Sequence, residues 1–352
     1  MLAFVMLPAF ELPALADPRA LADFLALDDA ALHGLADLEG HERRRRPTAR
    51  HYHYACARKA DGGERLIEAP KPRLKAAQRR VLRRLLDRVP PHDAAHGFVR
   101  RRSAVTSAEL HAGQAMVIRV DLRDFFASIP ASRVHAIFGA LGYPVAVRRL
   151  LTGLCTNATP LAVWGPASPS LSSVALRERR RRLAQYAGPH LPAGAPTSPS
   201  LANLAALGLD RRLAALARSM DCRYTRYADD LTISGGDALR RGAHACVSTI
   251  CRIAVEEGFV IHPRKTRLQP RGVRQTVTGL VVNARPNVPR DTYDRLRATL
   301  FNCVRLGPRT QSDLPLAELE AQLRGRVEWC AVNPGRAAKL RALFDAIDWS
   351  AA

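Results

Sequence analysis

The chain has 352 residues, of which 47% are hydrophobic, and this is enough to bury the cores of two or three domains. Its 54 Lys and Arg residues outnumber 32 Asp and Glu residues, which leaves a formal charge of +22. An excess of that size indicates a polyanionic partner, although a genome that uses Arg codons freely is an alternative source of the charge. Seven scattered cysteines without a CxxC pair argue against a disulfide framework or a zinc site and are typical of a cytoplasmic protein.

The N-terminal region, residues 1–50, is predicted to be a helical extension. Residues 1–20 are apolar but lack a positive stretch and include Glu11, so they indicate a docking segment or short helix rather than a signal peptide. Residues 20–46 have a helical pattern and end in four consecutive arginines. No other stretch approaches the roughly 18 apolar residues of a membrane span, so no membrane partner is expected.

The following segments alternate between strand and helix patterns. Residues 51–71 alternate polar and apolar side chains around Asp61-Gly62-Gly63, which predicts a β-hairpin. From Leu74 onward apolar residues recur at helical spacing, and basic residues displaced from them, including Arg79 and Arg83, can reach phosphates. The later predicted elements are a strand at 116–122, a helix at 131–141, an irregular basic segment at 158–193, a helix capped by Ser198, a hairpin at 222–234, a helix at 238–257, a strand at 274–283 and helices from 291 onward.

Paired aspartates, Asp229 and Asp230, lie at the predicted tip of the second hairpin in an otherwise basic chain. Aspartate is common in turns for backbone reasons, and this is the simpler explanation. If the strand that ends near Asp121 lies beside this hairpin, three carboxylates converge and repel one another unless a cation lies between them. Two Mg²⁺ ions about 3.5 to 4 Å apart suit such oxygen ligands, activate a 3′-hydroxyl and stabilise a departing pyrophosphate. These residues therefore predict a two-magnesium site.

Several motifs together resemble those of reverse transcriptases. "YADD" at 227–230 resembles their YxDD box, and "VDLRDFFASI" resembles their first palm motif. "LPAGAPTSPSLANL", "RKTRL" and "KADGGERLIEAPKPRLKAAQR" resemble the loop and helix, the lysine-bearing motif and the fingers of that family. "HGFVRRRSAVTSAELH" and Val277-Thr278-Gly279 resemble stretches of bacterial retron enzymes. The resemblance covers about residues 50–349.

The resemblance implies an α+β fold, a right-hand polymerase with an antiparallel-sheet palm and a helical thumb. The implied boundaries are fingers at 51–115, palm at 116–284 with an insertion at about 158–193, and thumb at 285–352. The implied metal ligands are Asp121, Asp229, Asp230 and the carbonyl oxygen of Leu122, with Lys265 beside the leaving pyrophosphate. The implied substrate contacts are Lys59 and Arg65 to the triphosphate, Phe126 to the sugar, and Ala193, Gly194 and Tyr227 beside the nucleotide. From their charge pattern, the candidate nucleic-acid contacts are Arg79, Arg83, Arg295 and Arg297.

Two positions depart from the family pattern. Ser107 stands where retron enzymes have Asn. Ala193 stands where they have a Gln near the incoming nucleotide. The second difference predicts altered fidelity or nucleotide affinity.

The resemblance implies RNA-templated DNA synthesis from dNTPs. Retron enzymes copy a structured non-coding RNA from a 2′-hydroxyl primer into an RNA–DNA product and serve in anti-phage defence, so the RNA and a defence effector protein are expected partners. One alternative is a related defence reverse transcriptase that works without a retron RNA and with little or no template. The other is a catalytically silent RNA-binding scaffold, although clustered like charges would cost a scaffold stability.

Overall fold

Residues 11–58, 64–165 and 172–350 are described by a computed structural model of the chain. The chain divides into two units. The first unit consists of Met1–Val99, Leu122–Leu213 and Ile250–His262, and the second consists of Arg100–Asp121, Ala214–Thr249 and Pro263–Ala352. Within the described ranges, no helix is both long and apolar enough to cross a membrane.

Helices and antiparallel strands are mixed along the chain, which confirms the α+β class. The helices are α1 (Pro18–Leu25), α2 (Asp29–Ala36), α3 (Pro72–Arg84), α4 (Ala104–Glu109), α5 (Ala131–Ala140), α6 (Val145–Cys155), α7 (Ser173–Ala187), α8 (Ser198–Ala205), α9 (Leu207–Ser219), α10 (Asp237–Arg241), α11 (Ala243–Glu256), α12 (Arg290–Leu306), α13 (Leu316–Trp329) and α14 (Pro334–Asp345). The strands are β1 (Tyr52–Arg58), β2 (Glu64–Pro70), β3 (Met116–Asp121), β4 (Arg223–Tyr227), β5 (Asp230–Gly235), β6 (Arg267–Pro270), β7 (Thr276–Val277) and β8 (Leu280–Val281).

The N-terminal extension contains two short helices instead of one long helix. Ala26 and Asp37, both in the left-handed region, end α1 and α2. The Asp37 carboxylate then accepts hydrogen bonds of 2.9 Å from the backbone N–H groups of His41 and Glu42. The prediction of a helix over residues 20–46 is therefore wrong beyond α2.

The predicted hairpin over residues 51–71 is confirmed as an antiparallel pair, β1 and β2. Its register runs from Tyr52 opposite Pro70 to Arg58 opposite Glu64. Leu66 of β2 is fully buried. The turn residues Asp61, Gly62 and Gly63 lie outside the described residues.

A four-stranded antiparallel sheet in the second unit has the order β4-β5-β3-β6. Because successive side chains of a strand point to opposite faces, one face of the sheet carries apolar residues such as Ile118, Leu231 and Ile233. The other face, here called the polar face, carries Arg119 and Asp121 of β3, Asp230, Thr232 and Ser234 of β5, and Thr225 and Tyr227 of β4.

The segment predicted as one strand over residues 274–283 is a small hairpin, β7 and β8. Thr278 and Gly279, with φ values of 48° and 86°, turn the chain between the two strands. Glycine favours this left-handed conformation because it has no Cβ atom. The single-strand prediction is therefore wrong at Thr278.

The C-terminal helices of the second unit share one hydrophobic core. Leu296 and Leu300 of α12, Leu323 of α13 and Leu340 of α14 are almost fully buried in one cluster with Val277. The prediction of helices from residue 291 onward agrees with α12, α13 and α14, which are separated by two short interruptions.

Candidate active site

The hairpin of β4 and β5, here called the aspartate hairpin, carries the Tyr-Ala-Asp-Asp sequence at its tip. Tyr227 is the register partner of Asp230, so Ala228 and Asp229 form a two-residue turn. Ala228 has a φ of 54°, the sign that the first central residue of such hairpin turns requires. The fully buried Arg226 donates a hydrogen bond of 3.1 Å from Nη1 to the Ala228 carbonyl oxygen. A buried cation thus supports a turn conformation that L-residues seldom adopt.

Asp121 and Asp230 lie directly opposite each other on the two central strands. They are register partners in the antiparallel pairing of β3 with β5. Like charges in this arrangement destabilise a sheet unless positive charge compensates them. The expected convergence of Asp121 with the aspartate hairpin is therefore present on the polar face.

Each of these opposed carboxylates has a basic partner. Arg119 donates from Nη2 to both carboxylate oxygens of Asp230, at 3.2 and 3.1 Å. The Nζ atom of Lys265 lies 3.5 Å from Oδ1 of Asp121. Sequence analysis assigned Lys265 but missed Arg119. Its position two residues before Asp121 was an available signal, because that spacing puts both side chains on one face of β3.

The carboxylates as they stand do not form a metal cage. Across residues 11–58, 64–165 and 172–350, no group of three or more His, Cys, Asp or Glu side chains is arranged to hold a metal ion. The donor chemistry nevertheless fits magnesium, which prefers carboxylate oxygens together with substrate phosphates. Arg119 and Lys265 supply positive charge at the carboxylates that a metal ion would otherwise supply.

Leu122 and the two phenylalanines that follow it belong to the first unit. Leu122 is 1% exposed, in agreement with the expectation that its side chain is core. Phe125 is buried, and its ring centroid lies 5.7 Å from that of Phe259. Phe126 is only half-buried, and its ring lies 6.0 Å from that of the exposed Phe98. The core ring of this pair is therefore Phe125.

Backbone contacts hold Ala193 and Gly194 against β2 in the first unit. The N–H group of Glu68 donates to the Ala193 carbonyl oxygen at 2.8 Å. Gly194 has a φ of 131°, and a Cβ atom there would lie 3.0 Å from the Glu68 carbonyl oxygen. Ser198 is not the N-cap that the sequence predicted, because it is the first residue of α8 and donates its hydroxyl to the Pro192 carbonyl oxygen at 2.7 Å.

The two triphosphate candidates lie on the hairpin of β1 and β2 or in its turn. Arg65 is exposed on β2 opposite Ala57. Lys59 lies outside the described residues. The exposure of Arg65 leaves its guanidinium accessible to a phosphate.

Helix α7 lies in the basic insertion to which the sequence gave no role. Arg181 forms ion pairs with Asp124 and, at 2.7 Å, with Glu178. Hydrogen bonds from Arg181 lower the pKa of Glu178. Glu178 also lies 3.9 Å from Arg123. The helix therefore braces the segment that follows Leu122, a function that sequence reasoning missed.

Residues 57–278 match the family described as reverse transcriptase (RNA-dependent DNA polymerase). The chain belongs to the reverse transcriptase family. This membership confirms the predicted right-hand polymerase fold.

Similar curated proteins are retron reverse transcriptases, which confirms the predicted retron type. Retron Mx162 reverse transcriptase of Myxococcus xanthus is 40% identical over 270 residues, covering 72% of this chain and 53% of that protein. Retron Mx65 reverse transcriptase of the same organism is 43% identical over 260 residues, covering 73% and 57%. Retron Ec86 reverse transcriptase of Escherichia coli is 32% identical over 239 residues, covering 68% and 65%. The chain therefore spans just over half the length of its two M. xanthus relatives.

Among solved structures, the reverse transcriptase chain is similar to a foamy viral protease-reverse transcriptase in complex with double-stranded DNA. The TM-score is 0.43 and the identity 11%, over 85% of this chain and 44% of that one.

A buried polar network lies beside the aspartate hairpin of this reverse transcriptase. His111 is fully buried, with Nδ1 at 2.7 Å from Ser234 Oγ and Nε2 at 2.8 Å from Thr225 Oγ1. The Ser107 hydroxyl lies 2.9 Å from the same Thr225 oxygen. The serine that replaces the family's Asn therefore has a hydrogen-bond partner, and His111 joins both strands of the hairpin.

The basic residues of α3 divide into two sets. Arg79 and Arg83 are exposed one helical turn apart, as expected of nucleic-acid contacts. Arg80 and Arg84 instead donate to backbone carbonyl oxygens at the end of α1. Only part of the basic pattern is therefore available to a nucleic acid.

The two candidate arginines of α12 are both exposed. Arg295 forms an ion pair of 3.0 Å with Asp291, one turn earlier. Because such exposed pairs contribute little to stability, Arg295 can exchange this partner for a phosphate at small cost.

We expect the pair Arg119–Asp230 to stabilise the sheet, because its side chains are only 22% and 29% exposed and it relieves carboxylate repulsion. Arg119→Met should lower the free energy of unfolding by about 1 to 3 kcal/mol, and much less in an Asp230→Asn background. Urea unfolding of the four proteins of this double-mutant cycle, without divalent cations, measures the coupling. The exposed pair Arg290–Asp294 is the control. A coupling as small as that of the control would contradict this role.

Proposed function

We propose that this reverse transcriptase is an RNA-directed DNA polymerase that adds dNTPs to a primer on an RNA template with two magnesium ions. The observation that carries the proposal is the opposition of Asp121 and Asp230 on the central strands, with Asp229 in the adjoining turn. Family membership supports the same chemistry. A silent scaffold would gain nothing from this concentration of negative charge.

Three carboxylates, those of Asp121, Asp229 and Asp230, would hold the ions, with the Leu122 carbonyl oxygen as a further ligand. When bound, such ions activate a primer 3′-hydroxyl and stabilise the departing pyrophosphate. Lys265, already beside Asp121, would supply charge or a proton to that pyrophosphate.

The resemblance to reverse transcriptases supplies the proposed contacts of the incoming nucleotide. Arg65, with Lys59, would grip the triphosphate, since its side chain is exposed on β2. The backbone of Ala193 and Gly194 would lie beside the nucleotide, as would Tyr227 of the aspartate hairpin. Ala193 offers no side-chain amide to it.

Replacing Asp229 with Asn removes one ligand charge and keeps the size of the side chain. We expect extension of a primed RNA template to fall by orders of magnitude with the melting temperature retained. Asp237→Asn, at the exposed start of α10, is the matched control and should extend primers like the wild type. Near wild-type extension by the Asp229 variant would refute the two-metal assignment.

Phe126 would select the sugar, because a ring against the ribose leaves no room and no hydrogen-bond partner for a 2′-hydroxyl. An unsatisfied hydroxyl costs about 1 to 3 kcal/mol, or roughly ten- to a hundredfold in selectivity. Phe126→Ala should therefore admit ribonucleotides with little loss of stability, because the ring is only half-buried.

Phe125→Ala is the control for this test. Its buried ring should leave a cavity that costs about 3 to 5 kcal/mol without changing sugar selection. Competition between rNTP and dNTP, measured together with thermal unfolding, separates the two effects. A Phe126 variant that is destabilised but equally selective would identify a core residue instead.

We further infer that the template is a structured non-coding RNA, copied into DNA that stays joined to RNA. The relatives named as retron reverse transcriptases support this. The retron-like triplet at 277–279 ends β7 and turns the chain towards β8, and the Thr278 hydroxyl donates to the Ala104 carbonyl oxygen at 2.7 Å. Exposed arginines on α3 and α12 suit the phosphates of an RNA duplex. A role in anti-phage defence with an effector protein rests on the resemblance.

The nucleic acid that copurifies with the protein from its host tests the template. We expect a covalent hybrid of RNA and DNA, which sequencing before and after ribonuclease treatment would reveal. Free single-stranded DNA of low complexity would favour synthesis without a template.

A further inference from the structure

A group of buried polar side chains is centred on Glu68 of β2. Its Oε1 atom accepts hydrogen bonds from Asn157 Nδ2 at 2.8 Å and from Thr159 Oγ1 at 2.7 Å. Its Oε2 atom lies 2.9 Å from Nε2 of His190, which is 1% exposed. Asn157 also donates to the Tyr54 hydroxyl at 3.1 Å. None of these groups has a role in the chemistry proposed above.

Both ring nitrogens of His190 form hydrogen bonds inside the first unit. Nδ1 lies 2.7 Å from the Gly188 carbonyl oxygen, which can only accept, so Nδ1 donates to it. Nε2 lies 2.9 Å from Oε2 of Glu68, and both side chains are almost fully buried. Removing one partner of such a buried pair is strongly unfavourable.

This pair links β2 to the loop that contains Ala193 and Gly194. The backbone of Glu68 holds the Ala193 carbonyl oxygen through its N–H group, and its own carbonyl oxygen lies against Gly194. His190 precedes the same loop, and its backbone N–H and carbonyl groups bond to those of Asn157. Arg65 lies three residues before Glu68 on β2. The pair therefore fixes the distance between the loop and the strand that carries a triphosphate candidate.

We propose that Glu68 and His190 are positioning residues for the incoming nucleotide, acting through the backbone of β2 and of residues 193–194. This inference rests on the proposed polymerase function, which gives the loop and Arg65 their substrate roles. Loss of the pair would let the two nucleotide-binding segments shift against each other. Nucleotide affinity should then fall more than the maximal rate of incorporation.

Two substitutions of Glu68 separate positioning from packing. Glu68→Ala leaves His190, Asn157 and Thr159 without their common partner. Glu68→Gln keeps an acceptor for Asn157 and Thr159 and offers an amide N–H to the Nε2 atom of His190, so it preserves the hydrogen bonds of the group. His111→Ala is the matched control, since His111 is equally buried but contacts the strands of the aspartate hairpin.

The test is single-turnover incorporation of one dNTP by the full chain on a primed RNA template. Glu68→Ala should raise the apparent Kd for dNTP roughly tenfold and change the maximal rate by less than about threefold. Glu68→Gln should bind dNTP like the wild type. His111→Ala should lower the maximal rate at an unchanged Kd.

A Glu68→Ala variant with a lower rate or soluble yield but an unchanged Kd would overturn the inference and assign a packing role. If that variant does not fold, Glu68→Asp decides instead, because it shortens the side chain by one methylene, and an unchanged Kd in this variant would overturn the inference. A wild type that fails to extend primed RNA would refute the proposed function itself. A wild type that extends it, with Kd unaffected by Glu68→Ala or Glu68→Asp, would refute only the positioning role.

Discussion

Electrostatic repulsion between Asp121 and Asp230 is the constraint on which the candidate site depends. The antiparallel register of β3 and β5 fixes these carboxylates opposite each other, in a part of the sheet that cannot relax without breaking strand hydrogen bonds. Arg119 and Lys265 compensate the charge on Asp230 and Asp121. The buried guanidinium of Arg226 adds support from the turn. Rigid strands therefore hold a repulsive pair that loops could not hold, and such a pair suits the binding of cations.

The sheet can hold opposed carboxylates and still pack against a core, because one of its faces is polar and the other is apolar. In β5, Leu231 and Ile233 alternate with Asp230, Thr232 and Ser234, so that the apolar side chains pack on one face and leave the other to polar groups. His111 lies against the polar face near Ser234 and forms a hydrogen bond with the Ser234 hydroxyl. The apolar side chains that stabilise the sheet and the polar side chains of the candidate site therefore lie on the same strands but on opposite faces.

The basic residues also serve two purposes, and the net charge alone does not separate them. Arg80 and Arg84 hold α1, and Arg181 braces the segment after Leu122. Arg79 and Arg83 remain exposed on α3. The formal charge of +22 therefore overstates the surface available to nucleic acid.

The resemblance to reverse transcriptases predicted the α+β class. Local patterns in the sequence predicted both main hairpins and the paired aspartates at the tip of the second, because alternation and turn residues act over a few positions. They failed over residues 20–46 and at Thr278, where single left-handed residues end or turn an element that the pattern would continue. Only the tertiary structure revealed the pairing of Arg119 with Asp230 and of Glu68 with His190. The partners in each pair lie more than a hundred residues apart in the sequence. Their contact depends on the path of the folded chain, so no local periodic pattern of residues predicts it.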